Sequence, residues 1–83
     1  MTKESAAEQV SRAASIRRRL PTPRMCRAIR ESSGLRVAEV AKALDVAAQT
    51  VHNWERGSRT PRGALLEAYV AVLDALAEEQ HPA

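Results

Sequence analysis

Residues 37–57 read VAEVAKALDVAAQTVHNWERG, and this stretch decides the fold. In residues 37–44 the apolar side chains follow the spacing i, i+3, i+4 and i+7, which predicts a short helix with one buried side. The three residues 45–47 connect it to a second predicted helix over residues 48–56, which Gly57 ends. Two short helices joined by a tight turn are the helix-turn-helix pattern.

The second helix of this pair has two different sides when its residues are placed at 100° intervals. Val51 and Trp54 lie on the inward side, so Trp54 is expected in the core rather than against a nucleic-acid base. The opposite side is polar and carries one charge: Ala48, Gln49, His52, Asn53 and Arg56. Because an ordinary solvated helix side carries more charge, this side is the candidate binding surface. For His52, plain exposure remains as good an interpretation as a contact.

The flanking segments predict more helices. Thr22 and Pro23 form a start signal for a helix over residues 23–32, and a final helix is expected from about residue 62 to 79. Its apolar side is wider than a small core needs, so Tyr69, Val72 and Leu76 are candidates for contact with a second copy. Residues 1–20 predict either a marginal helix or a flexible basic arm, and residues 80–83 a tail. The expected fold is all-α, with four helices or five.

Composition sets limits on function. The 83 residues carry a net charge of +3, and residues 64–83 hold four acidic side chains and no lysine or arginine. The basic side chains of residues 1–63 therefore favour a polyanionic partner. Trp54 and Tyr69 are the only aromatic residues, which argues against a single-strand binder that stacks bases on aromatic rings.

The sequence offers no catalytic or metal-binding set. Cys26 is a single cysteine, which suits a cytoplasmic protein, and with His52 and His81 it makes no plausible zinc site. No phosphate-binding loop or nucleophile with a base at recognisable spacing is present, so an enzyme is not expected. No apolar run approaches the length of a membrane span. We therefore expect a cytoplasmic protein without metal or cofactor.

Beyond these patterns, the chain resembles a family. The residues Ile29-Arg30-Glu31, Gly34-Leu35, Val40-Ala41, Thr50-Val51 and Trp54-Glu55-Arg56-Gly57 resemble the phage Cro/repressor-type helix-turn-helix regulators, also called the xenobiotic-response-element family. The resemblance covers about residues 21–76 and implies a lambda-repressor-like domain that binds double-stranded DNA.

Several roles follow from the resemblance by position. It implies base reading by Ala48, Gln49 and Asn53, with His52 and Arg56 alongside. It also implies phosphate contacts from Arg59 and Arg62 and an ion pair between Arg30 and Glu55. Arg36 is expected to replace the phosphate-binding glutamine that the family has where this chain has Val37. Asp45 in the turn and Ala47 at the helix start also depart from the family's usual glycine and serine or threonine.

Two functions remain open at this point. The first is a repressor-like regulator of bacterial or phage origin, associated with the nucleoid, that binds palindromic DNA as a homodimer. The second is an antitoxin or other regulator that holds a partner protein through its final helix or N-terminal arm.

Overall fold

The computed structural model describes residues 5–80, which form five α-helices and, within that range, no strand. The all-α fold class is therefore confirmed. The helices are α1 (Ala6–Arg19), α2 (Pro23–Ser32), α3 (Val37–Leu44), α4 (Ala48–Arg56) and α5 (Gly63–Glu79). The prediction for His81 lies outside the described residues.

The start of α2 follows from local chemistry. The hydroxyl oxygen of Thr22 accepts a hydrogen bond from the backbone N–H of Met25 at 3.2 Å, and Pro23 occupies the first helical turn. At its other end, α2 is tied to α5. The side-chain amide of Gln80 donates to the Ile29 carbonyl at 3.0 Å and to the Ser33 hydroxyl at 2.8 Å. Gln80 is thus the C-cap residue of α5, and residues 81–83 of the predicted tail lie outside the described residues.

The turn between α3 and α4 depends on one left-handed residue. Asp45 has a φ of 57°, and the backbone N–H of Val46 reaches back to the Ala41 carbonyl at 3.0 Å. Asp tolerates this conformation better than most side chains, at a cost in energy that glycine would not incur. Ala41, which is buried, leaves room for the two helices to pack closely.

The core lies between α2, α3, α4 and α5. Its buried members are Cys26, Val40, Ala41, Val51, Trp54, Tyr69 and Leu73. Leu66 and Val70 of α5 are also buried, outside this cluster. The rings of Trp54 and Tyr69 pack with centroids 4.7 Å apart and planes tilted by 45°. Tyr69 is 1 % exposed, so its prediction as a contact to a second copy is wrong: α5 uses this residue to fill its own core.

The N-terminal segment is a helix rather than an arm. Ser5 caps α1 by accepting a hydrogen bond from the Glu8 backbone N–H at 3.1 Å. Two ion pairs join α1 to α5: Arg12 with Glu67, and Arg19 with Asp74. Because both pairs follow the same order along the two helices, α1 and α5 run parallel. No residue of α1 is fully buried, which explains why periodicity alone left the segment undecided.

Candidate nucleic-acid interface

The polar side of α4 is open to solvent. Ala48, Gln49, His52 and Arg56 are exposed and Asn53 is half-buried. The other side of the helix is fixed in the core by Val51 and Trp54, which are 0 % and 6 % exposed. The backbone of α4 is therefore held by packing, while its five candidate base-reading side chains share one accessible side.

Two of these side chains are already oriented. The Gln49 side-chain amide donates a hydrogen bond to the Asn53 side-chain oxygen at 3.1 Å. This bond leaves the Gln49 oxygen as an acceptor and both Asn53 amide hydrogens as donors. The two side chains present an acceptor and a donor from successive turns, an arrangement suited to the edges of bases. The spacing i, i+4 could have predicted this contact from the sequence.

The ion pair implied by the family resemblance is present. Arg30 Nε and Nη2 donate to the two carboxylate oxygens of Glu55 at 2.7 and 3.0 Å, and Arg30 Nη1 donates to the Leu35 carbonyl at 2.8 Å. The hydrogen bond to Glu55 raises the pKa of the Arg30 guanidinium, although partial burial opposes this shift. The pair joins the end of α2 to the end of α4.

Arg59 and Arg62 follow α4 and line an open groove between α4 and α5 with Thr50, Asn53 and Ser58. The backbone N–H groups of Ser58 and Arg59 donate to the Asn53 carbonyl at 3.0 and 3.2 Å, so the turn is fixed against the last turn of α4. The two arginines are exposed. They therefore lie beside the polar side of α4, where phosphate contacts were predicted.

Arg36 is placed at the start of α3. Its guanidinium is almost fully exposed and its backbone N–H donates to a Glu39 carboxylate oxygen at 3.0 Å. The N-cap residues of α3, α4 and α5 are Arg36, Ala47 and Arg62, and none of their side chains accepts a hydrogen bond from the helix that follows. Their first backbone N–H groups thus lack a side-chain acceptor, and such groups favour an anion.

Three other features of residues 5–80 bear on function. No group of three or more His, Cys, Asp and Glu in this range could hold a metal ion. Nor is any helix in the same range long and apolar enough to cross a membrane. Cys26 is buried, and burial raises the pKa of its thiol, which disfavours the reactive thiolate.

The α3–turn–α4 unit, with its exposed polar second helix, defines a helix-turn-helix protein. A family model described as a helix-turn-helix domain matches residues 26–83, and the chain belongs to this family. The match begins inside α2, so α1 lies outside it. No curated protein and no solved structure matches the chain.

Proposed function

We propose that this protein is a sequence-specific, double-stranded DNA-binding transcription regulator that acts as a repressor. The observation that carries the proposal is the exposed side of α4, where Gln49 and Asn53 are hydrogen-bonded to each other beside exposed arginines. In this role the protein binds DNA and has no catalytic activity of its own.

Recognition uses the major groove, which is wide enough to admit an α-helix and exposes a distinct pattern of donors and acceptors for each base pair. Gln49 and Asn53 suit the N6 and N7 edge of adenine, and the Ala48 methyl suits the methyl group of thymine. Arg56 can reach guanine or a phosphate. His52 lies on the same exposed side of α4, between Ala48 and Arg56. The α4 helix therefore reads a few base pairs that include an A·T pair.

Contacts to phosphate fix the position of α4 in the groove. Arg36 at the start of α3 and Arg59 and Arg62 after α4 are exposed and able to form bidentate hydrogen bonds to phosphate oxygens. Such contacts supply affinity and register but little sequence information. Each such contact releases counterions that were condensed on the DNA. This release is less favourable at high salt, so the contribution of the phosphate contacts to affinity weakens as salt concentration rises.

A few base pairs give little specificity, so we propose a homodimer on two half-sites about 34 Å apart. The supporting feature is the outer side of α5, where Leu65, Ala68, Val72 and Leu76 recur at three- or four-residue intervals without a charge. Leu65 is 37 % exposed and Val72 and Leu76 are half-buried. This side replaces the predicted set that included Tyr69.

The same side of α5 supports the second candidate, a regulator that holds a partner protein. Analytical ultracentrifugation separates the two arrangements. A homodimer, free or on DNA, that Val72→Asp reduces to a monomer supports the first. A monomer under both conditions overturns the homodimer and directs the search to a partner.

The function itself is tested by selecting binding sites from a random duplex library at about 150 mM salt, near the physiological value. We expect an enriched palindrome whose half-site contains an A·T pair, and loss of the enrichment for Gln49→Ala/Asn53→Ala. Salt-sensitive binding without any enriched sequence would overturn the proposal that α4 reads bases.

A further inference from the structure

A second basic groove lies on the other side of the end of α4. It is formed where α4 ends against the start of α2, and it is lined by Thr22, Pro23, Arg24, Arg27, Glu55 and Arg56. The two helices are in close contact there, since a Cβ atom placed on Gly57 would be 3.4 Å from Pro23 Cγ. Gly57 has a φ of 77°, a backbone conformation that favours glycine.

The charge of this groove is positive. Its one carboxylate, Glu55, is 5 % exposed and is held by both oxygens in the ion pair with Arg30. Arg27 has an exposed partner, Glu31, at 3.2 Å. Arg24 and Arg56 have no ion pair with a carboxylate of residues 5–80. Three guanidinium groups thus line an open groove, and of these only Arg27 has a carboxylate partner within residues 5–80. Such a groove favours an anion.

The position of the groove indicates which anion. Arg56 belongs both to the exposed polar side of α4 and to this groove, so the two surfaces meet at this residue. The groove that contains Arg59 and Arg62 lies towards α5, whereas this one lies towards α2. A helix in the major groove has a sugar-phosphate backbone on each side of it. The two basic grooves therefore match the two backbones.

We propose that Arg24 and Arg27 bind the phosphodiester backbone of duplex DNA on the side of α4 opposite Arg59 and Arg62. The inference rests on the proposed DNA-binding function and extends the contact surface to α2, which the helix-turn-helix pair does not include. A guanidinium forms bidentate hydrogen bonds with a phosphate, and the open groove leaves both groups accessible. These contacts position the protein and carry no base specificity.

The test compares three single variants, Arg24→Gln, Arg27→Gln and the control Arg18→Gln, each of which removes one positive charge. Arg18 is exposed, donates a hydrogen bond to Ser15 on its own helix and lines neither of the two basic grooves. Binding to duplex DNA is measured over a range of salt concentrations. We expect the dependence of log K on log salt to become shallower by about 0.9 for each lost phosphate contact. The control keeps the wild-type slope.

A parallel measurement compares the wild-type protein with the same two α2 variants. Phosphate ethylation interference on the wild-type protein maps the phosphates whose modification blocks binding. We expect two sets, one on each backbone, and Arg24→Gln and Arg27→Gln to relieve interference in one set only. Unchanged slopes, equal changes in all three variants, or a single set of phosphates would overturn the inference while DNA binding stands. A wild-type protein that binds no duplex would overturn the proposed function as well.

Discussion

Both carboxylate oxygens of Glu55 are bound by Arg30, with N···O distances of 2.7 and 3.0 Å, and the two side chains are 5 % and 11 % exposed. The pair joins residues 25 positions apart in the sequence. An ion pair in this setting gains little net stability over apolar residues of similar volume, but each partner depends strongly on the other.

Removing one side chain of the Arg30–Glu55 ion pair is expected to destabilise the folded protein. Arg30→Ala leaves the Glu55 carboxylate buried without a counterion, and we expect the free energy of unfolding to fall by about 3–5 kcal/mol. The double variant Arg30→Met/Glu55→Met removes both charges and is expected to lose much less. Urea unfolding of the three proteins measures the difference. A double variant as unstable as Arg30→Ala would contradict this account.

Asn53 is expected to read bases. Asn53→Ala removes the oriented amide and the acceptor for Gln49, so binding to the selected site weakens by about 1–3 kcal/mol. Binding to random duplex changes far less, because phosphate contacts dominate there. Fluorescence anisotropy with both duplexes at one salt concentration gives the comparison. Equal losses on the two duplexes would show that Asn53 does not discriminate bases.

Arg59 is expected to contact phosphate. Arg59→Ala should weaken binding to the selected and random duplexes alike, and its salt dependence should become shallower by about 0.9. The measurement is a titration series at four or more salt concentrations. If Arg59→Ala instead changes the preferred sequence, the residue reads bases and its assignment here is wrong.

The buried Tyr69 hydroxyl predicts a loss of stability at alkaline pH. It has no hydrogen-bond partner within residues 5–80 and lies near the Cys26 thiol. Burial raises the pKa of Tyr69 above its ordinary value of 10.0 and that of Cys26 above 9.0. The unfolded chain therefore ionises first, and the free energy of unfolding falls as pH rises above about 9–10.

Tyr69→Phe tests the tyrosine's share of this loss. The variant lacks the unpartnered hydroxyl, so we expect it to be at least as stable as the wild type near pH 7. Above pH 10 its stability should decline less steeply, with the remaining slope due to Cys26. Thermal unfolding of both proteins from pH 7 to 11 supplies the data, and identical alkaline slopes would rule out the tyrosine as a cause.

Asp45 offers a stabilising substitution. Its φ of 57° is costly for any residue with a Cβ atom. Asp45→Gly is expected to raise the free energy of unfolding by about 0.5–1 kcal/mol. Asp45→Ala is the matched comparison and should be less stable than the wild type, because alanine tolerates the left-handed conformation less well. The reverse order of stability would show that the Asp45 side chain stabilises the turn in another way.

Short-range sequence signals correctly predicted the boundaries of the central helices. The start of α2 at Thr22 and Pro23, and the end of α4 at Gly57, follow from interactions within a few residues. The exposed side of α4 also followed from periodicity, because Val51 and Trp54 fix the inward direction. Such signals depend only on neighbours in the sequence and can be recognised without a structure.

The features that the sequence did not predict depend on contacts between residues far apart in the chain. Tyr69 and Val72 both belong to the wide apolar side of α5, and periodicity does not tell which part of that side the core covers. The ion pairs of Arg12 and Arg19 connect α1 with residues 55 positions later, which no local pattern indicates. The groove of Arg24 and Arg56 likewise exists only because α2 and α4 meet.

The attachment of α1 divides the chain into two units of unequal local stability. Its two ion pairs with α5 are exposed, and such pairs typically contribute about 0–1 kcal/mol each. The other four helices share the aromatic and aliphatic core. Amide hydrogens of α1 should therefore exchange with solvent through local opening, while those of α4 exchange only when the whole domain unfolds. We expect α1 to separate from α5 without breaking the contacts between α3 and α4.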